Sequence, residues 1–278
     1  MSGSVLRGRR TALGLMAAAA WPVRAAPPAP LKVVIPAVHP SSQEHAGYFV
    51  QLLRLALEKT VVGDGPFDIQ FFSAEMSSPR QMAELKNRGA INVMWDGTNR
   101  QREAELLPIR ISLLRELNDY RVFLIRQEDQ PRFAAVRSLD DLRKFTAGAG
   151  VNWPSTEVLR TNELPVIASI NFESLFPMLQ AKRFDYLPRG VYEAWYEQRE
   201  HADQGLVIEQ TIFLHYQVPF YFFVSRSNPA LAERIERGLR LAQDDGSFDK
   251  LFHSIQSFRR SLDEIDTGRR RVFELKLP

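Results

Sequence analysis

Apolar positions in the first third of the chain alternate between strand-like runs and helix-like spacing. Residues 31–35, 67–72 and 91–95 are short apolar runs that predict strands. Residues 79–88 read as a helix that Gly89 ends. Between the first two runs, apolar residues recur at the spacing of one helix face: Phe49, Leu52, Leu53, Ala56 and Leu57. Strands that alternate with helices indicate a mainly parallel sheet with crossover helices.

The same alternation starts again after residue 119. Ser138 begins a helix with capping-box-like spacing, and residues 172–179 have helical periodicity. Pro188 is expected to end the last strand of this unit, because proline lacks a backbone N–H. Three apolar runs predict strands here, at residues 120–125, 145–150 and 184–187.

A final strand and helix follow, at residues 218–224 and from Asn228–Pro229 onward. The charged segment after Phe258 is expected to be peripheral. The pattern predicts a two-lobed α/β protein whose ligand binds in the cleft, at the carboxyl ends of strands. The predicted divisions are residues 1–25 as a signal peptide, 26–119 with 216–278 as lobe 1, and 120–215 as lobe 2.

The beginning of the chain is typical of a signal peptide. Arg7, Arg9 and Arg10 precede an apolar run over residues 11–21, and residues 23–25 (VRA) offer a small-x-small cleavage site. The run is shorter than the roughly 20 residues of a membrane span. We therefore expect export to the periplasm, by the general secretory or the twin-arginine route. An amphipathic N-terminal helix is the alternative.

Composition narrows the function classes. The 278 residues carry a formal net charge of +3, but residues 1–25 hold four arginines and no acid, which leaves 32 basic against 33 acidic residues, about −1. Nucleic-acid binding is therefore not expected. With no cysteine, the chain has no disulfide, thiol nucleophile or lipid-anchor site. Because no later apolar run approaches span length, we expect a soluble protein. We also expect it to be a monomer.

Four segments, in order, resemble the family 3 bacterial extracellular solute-binding proteins, which have the type II periplasmic-binding-protein fold. They are MAELKNRGAINVMWDGTNRQREAELLPIRIS, LIRQEDQPRFAAVRSLDDLRKFTAGAGV, MLQAKRFDYLP and NPALAERIERGLRLAQDDGSFDKLF. The resemblance covers nearly all of residues 30–258. It implies a Venus-flytrap fold with two mixed sheets and crossing hinge strands. It also implies a small-molecule ligand and an inner-membrane ABC permease as partner.

The family's Thr-x-x-Arg turn places an arginine that grips the ligand's carboxylate. In this sequence Asn99 stands at the threonine position and Arg102 at the arginine position. A guanidinium pairs with a planar carboxylate through two parallel hydrogen bonds, which suits this role. The alternative is a solvated arginine at a helix start, since Arg100 and Arg110 lie close by.

The sequence departs from the family where an aspartate commonly receives the ligand's α-amino group. That position falls at Gly190, with Arg189 beside it. An arginine there favours a second negative charge, so we expect an anionic ligand without an amine. The alternative is a salt bridge between Arg189 and Glu193 at the helical i, i+4 spacing.

Further candidates surround these arginines. Trp95 and Trp153 are expected as cleft walls or as core residues, and Asp96 as a hydrogen-bond acceptor or a turn cap. A Gly-x-Gly loop at residues 148–150 leads to a helix start that presents N–H groups to an anion. The remaining candidates are hydroxyl donors of that helix start and residues of the cleft rim: Ser155, Thr156, His39 and Tyr48.

No sequence motif for a nucleophilic serine, a zinc site or a phosphate-binding loop occurs. We therefore expect no cofactor, no metal and no enzyme activity. One enzyme alternative stays open, because some proteins of the same family are periplasmic dehydratases that act on cyclic carboxylic acids. That chemistry needs a buried acid, and Glu173 or Asp96 are the candidates. A ligand-sensing accessory protein is the third hypothesis.

Overall fold

A computed structural model describes residues 1, 3, 29–38 and 43–278. Nearly all of the predicted signal peptide, and His39, therefore lie outside the described residues. Within them, no helix combines the length and apolar character needed to cross a bilayer.

Twelve strands and twelve helices make up the described part of the chain. The strands are β1 (Leu31–Ile35), β2 (Phe67–Phe71), β3 (Met94–Gly97), β4 (Leu106–Ile109), β5 (Tyr120–Arg126), β6 (Ala147–Gly150), β7 (Val166–Ser169), β8 (Leu187–Gly190), β9 (Leu206–Ile208), β10 (Ile212–His215), β11 (Phe220–Ser225) and β12 (Arg271–Glu274). The helices are α1 (Gln43–Lys59), α2 (Val61–Asp64), α3 (Ser78–Lys86), α4 (Arg100–Glu105), α5 (Gln130–Ala134), α6 (Leu139–Leu142), α7 (Pro154–Thr161), α8 (Leu175–Gln180), α9 (Val191–Glu200), α10 (Pro229–Asp244), α11 (Ser247–Ser254) and α12 (Gln256–Asp266).

The strands form two lobes. The first contains the parallel pair β1–β2 and the sheet β3–β11–β4, in which β11 is antiparallel to both neighbours. The second contains β12–β10–β5–β8, with β9 also paired to β5, and the parallel pair β6–β7. The predicted mainly parallel arrangement is wrong: β5 is antiparallel to β8, β9 and β10, so the sheet that also contains the parallel pair β10–β12 is mixed.

Two strands lie about three residues later than their apolar runs predict. Residues 91–93 run beside β1 without joining a regular ladder, because the Asn92 side chain accepts from the Val34 N–H at 2.8 Å and donates to the Lys32 carbonyl. The strand then forms at Met94–Gly97. Pro188 does not end β8 but lies inside it, opposite Phe123. A proline fits there because β8 is paired along its length with β5 alone.

Close packing of α1 on α10 holds the first lobe together. The α1 residues Phe49, Leu52, Leu53, Ala56 and Leu57, predicted as its apolar face, are all buried. A Cβ at Gly238 would lie 1.9 Å from the Ala56 carbonyl oxygen, so only glycine permits this approach of the two helices.

The C-terminal segment is not peripheral. Phe258 is fully buried and the Ser261 hydroxyl of α12 donates to the Val191 carbonyl of α9 at 2.9 Å. Strand β12 pairs in parallel with β10, which lies in the range predicted for lobe 2. The last strand thus joins the second lobe's sheet, while the predicted boundaries at 119 and 216 stay a proposal.

Candidate functional site

A cavity of about 300 Å³ lies between the two lobes. The first lobe lines it with residues of α1, β3 and β11, and the second lobe with the starts of α7 and α9 and the end of β8. The segments that cross between the lobes form its floor, where the Asn118 side chain donates to the Val218 carbonyl and Tyr216 N–H donates to the Asp119 carbonyl at 3.0 Å. The cavity is therefore a cleft at the hinge, as the two-lobed prediction requires.

A buried guanidinium at the start of β5 faces this cavity. Arg121 is only 7% exposed, and its nitrogens donate to the carbonyls of Asn118 and Tyr120 and to the Asn118 side chain at 3.2 Å. The ring of Tyr216 lies 5.0 Å below the guanidinium carbon. Over residues 29–38 and 43–278, no carboxylate forms an ion pair with Arg121. Glu193 and Asp119 act on Arg121 only from beyond ion-pair distance. A buried cation with no carboxylate in contact favours a negatively charged ligand.

Tyr216 packs against Arg121 without lining the cavity, and Ser155 lines the cavity beside them. Burial raises the pKa of Tyr216, while the Arg121 guanidinium and the Ser155 hydroxyl beside it oppose the rise. The phenol therefore stays neutral and provides no negative charge for Arg121. Ser155 lines the cavity at the first turn of α7, as predicted for a hydrogen-bond donor; its contact with a ligand stays a prediction.

Arg189 lies on the cavity wall with two buried glutamates. Its Nε and Nη2 donate to Glu197 at 2.7 and 2.5 Å, and Nη2 lies 3.0 Å from Glu193. The ion pair with Glu193 is one of the two alternatives that the sequence leaves open, and it is present. The structure adds Glu197, 2% exposed, which the sequence analysis does not identify. Arg189 as an anion partner of a ligand stays a prediction.

The two glutamates have opposite pKa shifts. Burial raises the pKa of Glu197 to about 7 despite the attraction of Arg189, and the charge of Glu193 adds to the rise. Burial also opposes the ionisation of Glu193. There, however, Arg189, His45 and Arg121, with the N–H of Gly190, outweigh it and hold the pKa below its ordinary value. Glu193 is thus the carboxylate that stays charged on the cavity side.

Aromatic rings form the walls of both lobes. Trp153 lies 4.5 Å and Phe172 5.1 Å from the Arg189 guanidinium carbon, so both contact this cation through their faces. In the first lobe, Phe49 stacks on Phe220 with centroids 5.0 Å apart and planes at 13°, and Trp95 packs on Phe49 at 5.7 Å. Trp95 and Trp153 therefore both line the cavity and pack on neighbouring side chains. The two roles that the sequence left open for each of them occur together.

Arg102 lies outside the lining of the cavity. It is 4% exposed, it forms an ion pair with Asp96, and it donates to the Gly97 carbonyl at 2.6 Å and to Ser78 at 2.8 Å. Asn99 caps α4 by accepting from the Arg102 N–H at 2.8 Å. In this position Arg102 orients Asp96, which does line the cavity. A direct contact of Arg102 or Asn99 with a ligand stays a prediction.

Two other candidates lie in the core instead of on the cleft surface. Tyr48 is fully buried and donates to the Leu113 carbonyl at 2.7 Å, and its ring packs on Phe258 at 4.8 Å. Thr156 is also fully buried, and its hydroxyl donates to the Gly150 carbonyl at 2.6 Å. Tyr48 was predicted at the cleft rim, but α1 directs its side chain into the core. Thr156 binds the Gly150 carbonyl of the Gly-x-Gly loop instead of lining the cavity.

A second cavity, of about 480 Å³, adjoins the first and shares His45, Trp95, Asp96 and Phe172 with it. Glu173, one candidate acid for a dehydratase, lines this second cavity. The other candidate, Asp96, is ion-paired with Arg102. In the described part of the chain, no three metal-ligating side chains lie close enough together to hold an ion.

Arg121 is the main residue that the sequence analysis missed. Its signal was a single charge at the start of the apolar run YRVFLI, where a buried ion needs a partner. Glu197 lies eight positions beyond Arg189, two helical turns into α9, and gave no comparable signal.

No protein-family model matches the sequence, and no curated protein matches it. An ancestral arginine-binding protein bound to arginine has a similar structure, with a TM-score of 0.60 and 18% identity, over 81% of this chain and 97% of that chain. A histidine kinase sensor domain with similarity to periplasmic binding proteins has a TM-score of 0.60 and 15% identity, over 82% of this chain and 96% of that chain.

A third similar structure is an ancestral amino-acid-binding protein described as a precursor of cyclohexadienyl dehydratase, with a TM-score of 0.60 and 13% identity. It covers 81% of this chain and 94% of that chain. Amino-acid-binding proteins recur among the similar structures. The chain therefore has the two-lobed α/β fold of the type II periplasmic binding proteins.

Proposed function

We propose that this protein is a periplasmic solute-binding protein that holds a small carboxylate-bearing molecule between its lobes, with Arg121 as the carboxylate's partner. The observation that carries the proposal is the buried guanidinium of Arg121, which lines the cleft without an ion pair in the described residues. A ligand carboxylate would provide a negatively charged group in direct contact with Arg121. The similarity of fold to amino-acid-binding proteins supports solute binding in general.

The rest of the ligand would lie against the aromatic walls. Phe49, Trp95 and Phe220 belong to the first lobe, and Trp153 and Phe172 to the second, so a flat apolar group would contact both lobes. A volume of about 300 Å³ is at the small end for ligand pockets, which favours a single ring or a short chain. Delivery to an inner-membrane permease is the role that we propose for the bound form.

Whether the ligand carries an amine depends on the wall opposite Arg121. Arg189 is compensated by Glu193 and Glu197, so it offers less attraction to a second negative charge than the sequence suggested. Glu193 lines the cavity and would attract an ammonium group. The ligand's class is therefore best tested with two probes of the same skeleton, 3-phenylpropionate and L-phenylalanine, which differ only in the α-amino group.

The test is a thermal-shift screen of carboxylates and amino acids, including this pair, followed by calorimetry on every compound that raises the melting temperature. Arg121→Gln is expected to weaken the binding of each such compound at least about 30-fold, because a buried charge pair loses one partner. Arg240→Gln is the control, since Arg240 is exposed on α10 and pairs only with Glu236 in the described residues. Unchanged binding by Arg121→Gln, or a screen without any binding compound, would overturn the proposal.

A further inference from the structure

Two buried carboxylates share one guanidinium beside the cavity. Glu197 accepts both hydrogen bonds of the Arg189 fork, and Glu193 contacts the same Nη2 from the cavity side. Both glutamate side chains are almost completely enclosed, at 2% and 12% exposure. One arginine cannot neutralise two carboxylates, so this group of three residues, the Arg189 triad, carries a surplus negative charge when both glutamates are ionised.

The other charged groups around the triad favour the ionisation of Glu193 and oppose that of Glu197. His45 of α1 and Arg121 of β5 act on Glu193, which also accepts from the Gly190 N–H at 2.8 Å. Glu173, in the loop before α8, adds negative charge near Glu197. From α12, Ser261 and Arg260 contact α9 at Val191 and Trp195. Of the two carboxylates, Glu197 is thus the one that ionises less readily.

An anionic ligand changes this balance. Before it binds, the two positive charges of Arg121 and Arg189 equal the two negative charges of the ionised glutamates, although no carboxylate of the described residues lies within ion-pair distance of Arg121. With a ligand carboxylate on Arg121, two arginines face three carboxylates in a poorly solvated cleft. The lowest-cost adjustment is to protonate the carboxylate that is already hardest to ionise.

We propose that the Arg189 triad couples binding of an anionic ligand to uptake of one proton by Glu197. The inference rests on the proposed carboxylate site at Arg121. Solvent supplies the proton, and no covalent bond to the ligand forms. A zwitterionic ligand needs no such proton, because its ammonium group compensates Glu193. The triad therefore makes the affinity for anions, and not for amino acids, increase as the pH falls from 8 to 6.

Proton counting by calorimetry tests this coupling. Binding of 3-phenylpropionate at pH 8 is measured in buffers of different ionisation enthalpy, and the slope gives the number of protons taken up. We expect the uptake of close to one proton per ligand for the unaltered chain and close to none for Glu197→Gln. Glu200→Gln, at an exposed position of the same helix, should keep the uptake. L-phenylalanine should show close to zero in all three.

The outcomes separate this inference from the proposed function. Measurable binding of 3-phenylpropionate without proton uptake overturns the coupling and leaves the carboxylate site intact. Uptake that survives in a folded Glu197→Gln variant assigns the proton to another group and overturns it as well. If Glu197→Gln does not fold, the proton count of the unaltered chain decides alone, because zero uptake is incompatible with the triad's role.

A ligand-free measurement covers the case in which neither probe binds. Trp153 lies over the Arg189 guanidinium, so its fluorescence should respond to the ionisation of the triad. In a Trp21→Phe/Trp95→Phe/Trp195→Phe background, which leaves Trp153 as the one tryptophan of the sequence, we expect a transition between pH 6 and 8 that Glu197→Gln removes. If this fluorescence transition is absent, or if it persists in Glu197→Gln, the inference is overturned even without a ligand.

Discussion

Arg121 lies directly opposite Gly190 in the antiparallel pairing of β5 with β8. This register brings the Arg121 guanidinium beside the end of β8, where α9 begins and the Gly190 N–H donates to Glu193. The same pairing places Val122 opposite Arg189. One pair of strands thus determines the distance between Arg121 and the Arg189 triad.

Gly190 should be intolerant of a side chain. A Cβ there would lie 2.5 Å from the Tyr192 ring and 3.1 Å from a Glu193 oxygen, so Gly190→Ala must displace the buried Tyr192 ring. We expect a loss of about 1–3 kcal/mol in the free energy of unfolding, the usual cost of overpacking. Chemical denaturation measures it. Gly47→Ala in α1, where the added Cβ meets nothing within 4 Å, is the control and should be neutral or stabilising.

The sequence predicted the fold better than it predicted the site, and the reason is physical. Apolar periodicity reports which face of an element is buried, so α1, β5 and α10 were identified by their own residues. The helix caps Ser138 and Asn228 are also as predicted, because each accepts from a backbone N–H three positions ahead.

The site depends on contacts between distant segments, which a single sequence does not reveal. Whether Arg102 faces the cleft is decided by Ser78, 24 positions away, and by the turn that carries Asp96. The compensation of Arg189 by Glu197 requires the direction of α9 relative to β8. Arg121 could have been found from its isolated charge, but its position at the cavity depends on how β5 packs between the two lobes.

Arg102 is expected to stabilise the first lobe. Arg102→Ala would remove an ion pair and two hydrogen bonds and leave the half-buried Asp96 without its cation. We expect a loss of about 3 kcal/mol in the free energy of unfolding, typical of a broken buried pair. Arg100→Ala, an exposed neighbour in α4, is the control. A loss below about 1 kcal/mol would show that these contacts do not hold the lobe.

The same variant decides whether Arg102 contacts the ligand. If Arg102 only orients Asp96, a compound bound through Arg121 should bind Arg102→Ala with a modest loss, below about 10-fold. A loss as large as that of Arg121→Gln would assign the carboxylate to Arg102, as the resemblance to the solute-binding family implies. Calorimetry on both variants under the same conditions distinguishes these results.

Burial of Glu197 makes the stability of the protein depend on pH near neutrality. Its pKa rises on folding from the ordinary value of 4.5 to about 7. Between these values the folded state binds more protons than the unfolded state, so this group's contribution to stability decreases as the pH rises. The lowered pKa of Glu193 acts in the opposite direction, but only as the pH falls below about 4.5.

Melting temperatures measured from pH 4.5 to 8 should therefore decline less steeply in Glu197→Gln than in the unaltered chain. The absolute stability of the variant is not diagnostic, because glutamine cannot accept both hydrogen bonds of the Arg189 fork. The slope is diagnostic, since glutamine does not titrate. Parallel curves for the two proteins would show that Glu197 is ionised throughout this range.

The C-terminal strand should depend on Asn162. The Asn162 side chain donates to the Lys276 carbonyl at 2.8 Å and accepts from the Lys276 N–H at 2.9 Å, just beyond β12. Asn162→Ala removes both bonds and should cost about 1–2 kcal/mol, with faster hydrogen exchange over residues 271–278. Lys276→Ala is the matched control, because it leaves the backbone groups in place. If the exchange of this segment is equally fast in both variants, the strand is held by its pairing with β10 rather than by Asn162.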